Sequence, residues 1–194
     1  MNSSTLSKTS DSAAVSFTES LATGQIGESQ VARYLIGRGW QIMPVYQLEQ
    51  HTGKGPQLFG DYGQLVAPDM LAIRGEDVRW VEAKTKSAFT WYRIKSKWQT
   101  GIDLRHWRDY LKVNAVTPFQ MWIVFLHRDG TAKDTPPGMV SPTGLFGNEI
   151  GVLQACVDHE SENHGPSGMV YWNHEDLRLV ASLEQLQEYG KDQE

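Results

Sequence analysis

The chain has 194 residues, 40% of them hydrophobic and 21% charged, with a formal net charge of −5. That balance suits one domain burying its own core and excludes a uniformly basic nucleic-acid coat. A single cysteine, Cys156, excludes an intramolecular disulfide and points to a reducing compartment such as the cytoplasm. No apolar run approaches the roughly 20 residues of a spanning helix, so no membrane role is expected, and the N-terminus lacks the apolar stretch of a secretory signal.

Residues 1–17 are Ser/Thr-rich and predict a disordered tail, leaving 18–194 as a single domain. Ile26, Val31, Leu35 and Ile36 recur at helical spacing and Gly37 and Gly39 supply a stop, which predicts a helix over about 24–37. A strand follows over Trp40–Tyr46, then a long loop from Gln47 to Gln64 rich in glycine. Val66–Ile73 and Val78–Lys84 read as central strands around the turn Arg74-Gly75-Glu76-Asp77. Asp103 is a helix N-cap with Leu104, Trp107 and Leu111 on one face beyond it, and Gln120–Leu126 is a further strand. The order through residue 126 is therefore αβββαβ. A Gly/Pro-rich loop to Gly147, a helix over about 148–160, a strand near Gly168–Trp172 and a helix from about His174 to Tyr189 complete the chain.

Hairpin register concentrates the chemistry. In a hairpin turning at Gly75-Glu76 opposed residues sum to 151, so Ile73 faces Val78 and Asp69 faces Glu82. Two carboxylates placed this way repel each other, and a divalent cation is the simplest compensation. Alternation along the strand puts Lys84 on the same face as Glu82. Two acids and an ammonium at a strand end suit phosphodiester hydrolysis, in which a metal polarises the phosphoryl group and acidifies a bound water while Lys84 orients or activates it. The plainer reading makes Asp69 a turn residue and Glu82/Lys84 a solvated pair, but the apolar neighbours Leu71, Ile73, Val78 and Trp80 argue against a solvated face.

Pro68-Asp69 followed by Glu82-Ala83-Lys84 resembles the signature of the PD-(D/E)XK nuclease superfamily, which includes restriction endonucleases, Holliday junction resolvases and phage recombination nucleases. The resemblance implies an α/β fold: a restriction-endonuclease-like αβββαβ core over about 24–126 with a central mixed β-sheet flanked by helices, and a C-terminal helix-strand-helix extension over 127–194. It implies a DNA nuclease using Mg²⁺ or Mn²⁺, with Asp69, Glu82 and the Ala83 backbone carbonyl as metal ligands and Lys84 as the catalytic lysine. Glu28 matches the first-helix glutamate of many members; its alternative is a first-turn acid favourable to the helix dipole. The loop before Pro68, GIDLRHWRDYLKV and QMWIVFLH look like a phage-encoded subgroup, a resemblance that implies the cytoplasm of a bacterium or of a phage-infected host.

Eight cations and two acids between Lys84 and Lys112 give that segment +6, leaving −11 for the rest of the chain. Lys86, Trp91, Arg93, Lys95, Lys97, Arg105 and Arg108 are accordingly the candidates for DNA contact. For any one of them the alternative is a core aromatic or a solubilising charge. His159, His164 and His174 match no compact zinc spacing, and SPTGLFGN lacks the Lys-Ser/Thr of a phosphate loop. A catalytically silent nucleic-acid-binding protein or structural phage component is the competing function. The sequence leaves open a homodimer and a recruiting protein partner.

Overall fold

The computed structural model describes residues 26–45, 56–132 and 134–191. The expected tail over 1–17, the start of the first helix at 24 and the loop segment 46–55 lie outside the described residues. The fold is mixed α/β, built on a six-stranded sheet. Helix α1 (26–37) ends at Gly39, whose φ of 85° lets the chain reverse so that the Trp40 amide caps the Leu35 carbonyl at 3.0 Å. Strand β1 (Gln41–Pro44) follows.

Where a structureless loop was expected, β2 (Gln57–Gly60) and β3 (Gly63–Val66) form a hairpin around Asp61-Tyr62. The predicted strand Val66–Ile73 is accordingly broken at Ala67-Pro68-Asp69, since Pro68 cannot donate to a ladder, and β4 spans Met70–Arg74. Beyond Gly75, at φ 62°, comes β5 (Asp77–Lys86), paired with β4 in the sum-151 register from Met70↔Val81 to Arg74↔Asp77.

A second hairpin, β6 (Thr90–Tyr92) and β7 (Lys97–Asp103), leads into α2 (Leu104–Val116). Asp103 caps this helix, accepting from the Arg105 and His106 amides at 2.9 and 3.4 Å, and Leu104, Trp107, Tyr110 and Val113 form its buried stripe. Strand β8 (Gln120–His127) then lies parallel to β5 with Glu82 beside Ile123.

The C-terminal part departs most from expectation. Gly144–Glu149 is strand β9, not loop, and the helix expected over 148–160 shrinks to α3 (Ile150–Ala155), followed by β10 (His159–Ser161). Leu145 and Phe146 are buried on opposite faces of the sheet, and a Cβ on Gly147 would lie 2.4 Å from the Ile123 carbonyl, so that glycine is a packing requirement inside a strand. After β11 (Met169–Asn173) the expected helix from His174 is instead a single 3-10 turn, β12 (Arg178–Ala181) and α4 (Leu183–Lys191). Pairing with β9 draws Arg178–Ala181 into extended form.

The large sheet runs β1-β4-β5-β8-β9-β12, antiparallel except for β5 with β8; β10-β11-β7-β6 form a second sheet. Side chains alternate across β5 and β8. Trp80, Met121, Ile123 and Phe125 join one core cluster with α2, while Val81, Ala83, Val124 and Leu126 join another with Val31 and Tyr34 of α1. Trp172 of β11 is wholly buried, donates to the Leu153 carbonyl at 2.8 Å and meets Trp107 edge-on at 5.1 Å. The residues after 127 thus share the main core with α2. Among the described residues no helix is long and apolar enough to cross a membrane.

Candidate metal and phosphate cleft

Strand β4 ends at Met70 while β5 continues past Val81, so the last residues of β5 lose their neighbour on that side. Asp69 stands in the gap. Its Oδ2 accepts the Ala83 amide at 2.8 Å, replacing a ladder bond with a carboxylate. Because the N–H and C=O of one strand residue point to the same side, the Ala83 carbonyl also faces this opening.

Glu82 is 1% exposed. Its Oε1 contacts the Lys84 ammonium, and its Oε2 is buried with no hydrogen-bond partner. Burial, then the Glu82 charge, pushes the Asp69 carboxyl well above the ordinary range against the opposing pull of Lys84 and of the Ala83 amide. Burial alone would lower the Lys84 ammonium, but Glu82 and Asp69 outweigh it and hold it above its usual value. Lys84 is therefore charged at neutral pH.

A cleft of about 560 Å³ opens over these groups. Asp69, Glu82 and Lys84 line it together with Arg105, His106 and Tyr110 of α2, and the β2–β3 hairpin forms the opposite wall through Gln57 and Gln64. That hairpin is anchored by the Val66 amide, which donates to Asp109 Oδ2 at 3.3 Å. Burial, then the Glu82 charge, raises the Tyr110 phenol well above its ordinary value, so it remains a proton donor. Burial and the Lys84 charge lower the His106 imidazole and keep it neutral at pH 7.

Glu28 comes from α1, on the other side of the sheet. It is half-buried, and burial followed by the Glu82 charge raises its carboxyl, which couples it to the acid pair. The approach depends on Gly27, where a Cβ would lie 1.6 Å from Thr85 Oγ1. Yet among the described residues no group of three or more His, Cys, Asp or Glu side chains converges closely enough to hold a metal, so Glu28 stands back from the pair. Asp69 and Glu82 still suit Mg²⁺, which one or two carboxylates with waters and phosphate oxygens commonly hold. The orphaned Glu82 oxygen is the feature that fits such an ion.

No protein-family model and no curated protein matches the chain. Among solved structures it is similar to Hjc, a Holliday junction resolvase from the archaeal hyperthermophile Archaeoglobus fulgidus, at 10% identity, over 79% of this chain and 90% of that one, with a TM-score of 0.47. A likeness this remote assigns neither fold family nor activity.

The residues expected to contact DNA divide. Arg105 lines the cleft, and Arg108 is exposed one turn along α2. Lys86 continues the Lys84 face beside His127; burial and the Lys84 charge lower its ammonium. The β6–β7 hairpin carries the others away from the acids. Lys95 pairs with Asp158 at 2.8 Å, Lys97 with Glu175 at 2.7 Å and Arg93 with Asp134 at 3.3 Å. Trp91 packs edge-on against Trp98 at 5.0 Å and lines a separate depression with Arg93, Pro136 and Pro137. Much of the local +6 is thus met by acids from the C-terminal part. Gly27, His106 and Tyr110 were not singled out from sequence; the α2 stripe that buries Tyr110 was the available signal for the last two.

Proposed function

We propose that the chain is a divalent-metal-dependent nuclease of the PD-(D/E)XK type that hydrolyses phosphodiester bonds of DNA. The observation that carries this reading is the Glu82 carboxylate, buried beside Asp69 with one oxygen on Lys84 and the other without a partner. A buried acceptor left unmade costs about 1–3 kcal/mol, and more when charged. A cation offsets that cost and the repulsion between the two acids together.

Asp69, Glu82 and the Ala83 carbonyl would hold Mg²⁺ or Mn²⁺. Bound there, the ion supplies Lewis acidity toward a phosphoryl oxygen and lowers the pKa of a bound water. Lys84, held protonated by Glu82 and Asp69, serves as a donor that orients the attacking water and neutralises charge developing on the phosphate. Tyr110, also a donor, fixes the Glu82 side of the cleft. Arg105, exposed at the rim, receives a flanking phosphate. Glu28 adds negative potential behind the acid pair.

The test is incubation of the purified full chain with plasmid, linear duplex, single-stranded DNA and a four-way junction, each with Mg²⁺, Mn²⁺ or EDTA. Cleavage of at least one substrate with metal and of none in EDTA is expected. Intact substrates in every metal-containing reaction would refute the assignment, and the junction reaction tests a resolvase-like preference.

A further inference from the structure

On the other face of the sheet, between α1 and the strands, lies a second cavity of about 310 Å³ that the proposed nuclease chemistry does not use. Arg38, Arg74, Arg79 and Arg178 line it, from the turn that follows α1 and from β4, β5 and β12. Trp40 is flanked by two of them, with the Arg74 guanidinium 4.3 Å and that of Arg79 5.1 Å from its ring centre. Trp122 lines the same space, and its buried indole N–H has no acceptor.

Among the described residues only Asp77 forms an ion pair with these arginines, gripping Arg79 through Nε at 2.7 Å and Nη2 at 2.6 Å. Four guanidiniums less one carboxylate leave +3 at one cavity in a chain whose net charge is −5. Planar guanidiniums match phosphate oxygens in pairs. A monophosphate carries about −1.5 to −2 at pH 7 and would leave part of that charge unmet, whereas a diphosphate would meet it. The cavity's volume sits at the lower limit of small-ligand sites and suits a terminal group better than a continuous strand.

We propose that this cavity is a binding site for the diphosphate group of a small, nucleotide-sized ligand, held by Arg38, Arg74, Arg79 and Arg178, with Trp122 donating its otherwise unpaired N–H.

Tryptophan fluorescence and melting temperature report binding in the full chain, titrated with pyrophosphate, ADP or inorganic phosphate at ionic strength matched with chloride. EDTA is kept present so that no metal recruits phosphate to the acid cleft. Saturable binding of pyrophosphate and ADP is expected, at least tenfold tighter than phosphate. Arg38→Gln and Arg178→Gln, both at exposed positions and so compatible with folding, should each weaken it by about tenfold or more. Lys97→Gln, which removes an equal charge at the distant ion pair with Glu175, should leave it unchanged. Equal affinities in wild type and both arginine variants, or a chloride control that reproduces the whole response, would overturn the proposal. So would displacement of pyrophosphate by a single-stranded oligonucleotide at equal phosphate concentration, which would make the cavity part of a nucleic-acid track. None of these readouts depends on DNA cleavage.

Discussion

Asp69→Asn isolates the electrostatics of the acid pair, because the amide keeps an oxygen to accept the Ala83 N–H at 2.8 Å while removing the charge facing Glu82. In wild type the Asp69 carboxyl is raised by burial and by Glu82, so the folded state favours its protonated form. The linkage has a definite sign. A carboxyl raised on folding contributes stability that is present below its unfolded value near 3.8 and lost as pH rises through its higher folded value. In EDTA the asparagine variant should therefore match wild type at low pH and exceed it increasingly as pH climbs through that window, levelling off above. Metal reverses the order. At a concentration ten times its dissociation constant, an ion that binds only the folded protein stabilises wild type by about 1.4 kcal/mol. For a chain of this size that corresponds to a rise of roughly 3–6 °C in melting temperature. Paired melting curves with Mg²⁺ and with EDTA at pH 8 read both effects. Equal metal-induced shifts in the two proteins would show that Asp69 is not a ligand, and a variant less stable than wild type in EDTA would remove the argument from repulsion.

Lys84→Met keeps the aliphatic stem but deletes the donor, and should lower the cleavage rate by about 10²–10³ with DNA binding preserved; near-wild-type turnover would exclude the role given to Lys84. Arg105→Ala should reduce the slope of log K against log salt for DNA binding by about 0.9 for duplex. Lys97→Ala, whose ammonium is engaged by Glu175, should leave that slope as it is, and the opposite pattern would place the DNA over the β6–β7 hairpin. Gly27→Ala puts a methyl 1.6 Å from Thr85 Oγ1, so α1 must withdraw and carry Glu28 with it. A destabilisation of about 1–3 kcal/mol is expected in denaturant melts, partly rescued by Thr85→Ala, and an unaffected single variant would contradict the close approach.

The register of β4 and β5 was legible because two local signals agree: the turn at Gly75, and apolar residues on both faces of each strand. The Asp103 cap and the Leu104–Trp107 stripe were readable for the same reason, since capping and helical periodicity act within a few residues. What the sequence concealed is nonlocal. Gly144 and Gly147 carry a loop signature, yet β9 exists because β8 supplies a ladder about 20 residues earlier, and a Cβ at Gly147 would strike that neighbour's backbone. The charge count of the 84–112 segment was correct, but its partners lie 41, 63 and 78 residues away in Asp134, Asp158 and Glu175. A tally of cations along a chain cannot show which of them folding has already matched.

Strand β5 presents Glu82 and Lys84 to one cavity and Arg79 to the other, with only the thickness of a single polypeptide between them. Length changes are therefore constrained in a way that substitutions are not. A one-residue insertion after Gly75 that β5 absorbs by slipping would turn Val81 and Ala83 toward the acid cleft and the carboxylate toward α1, corrupting both faces at once. A comparable insertion at Asp61-Tyr62 touches no ladder of the large sheet. Insertion scanning of this chain should thus find one hairpin permissive and the other intolerant, and any descendant that lengthens the 74–77 turn has to do so in a way that leaves the parity of β5 untouched.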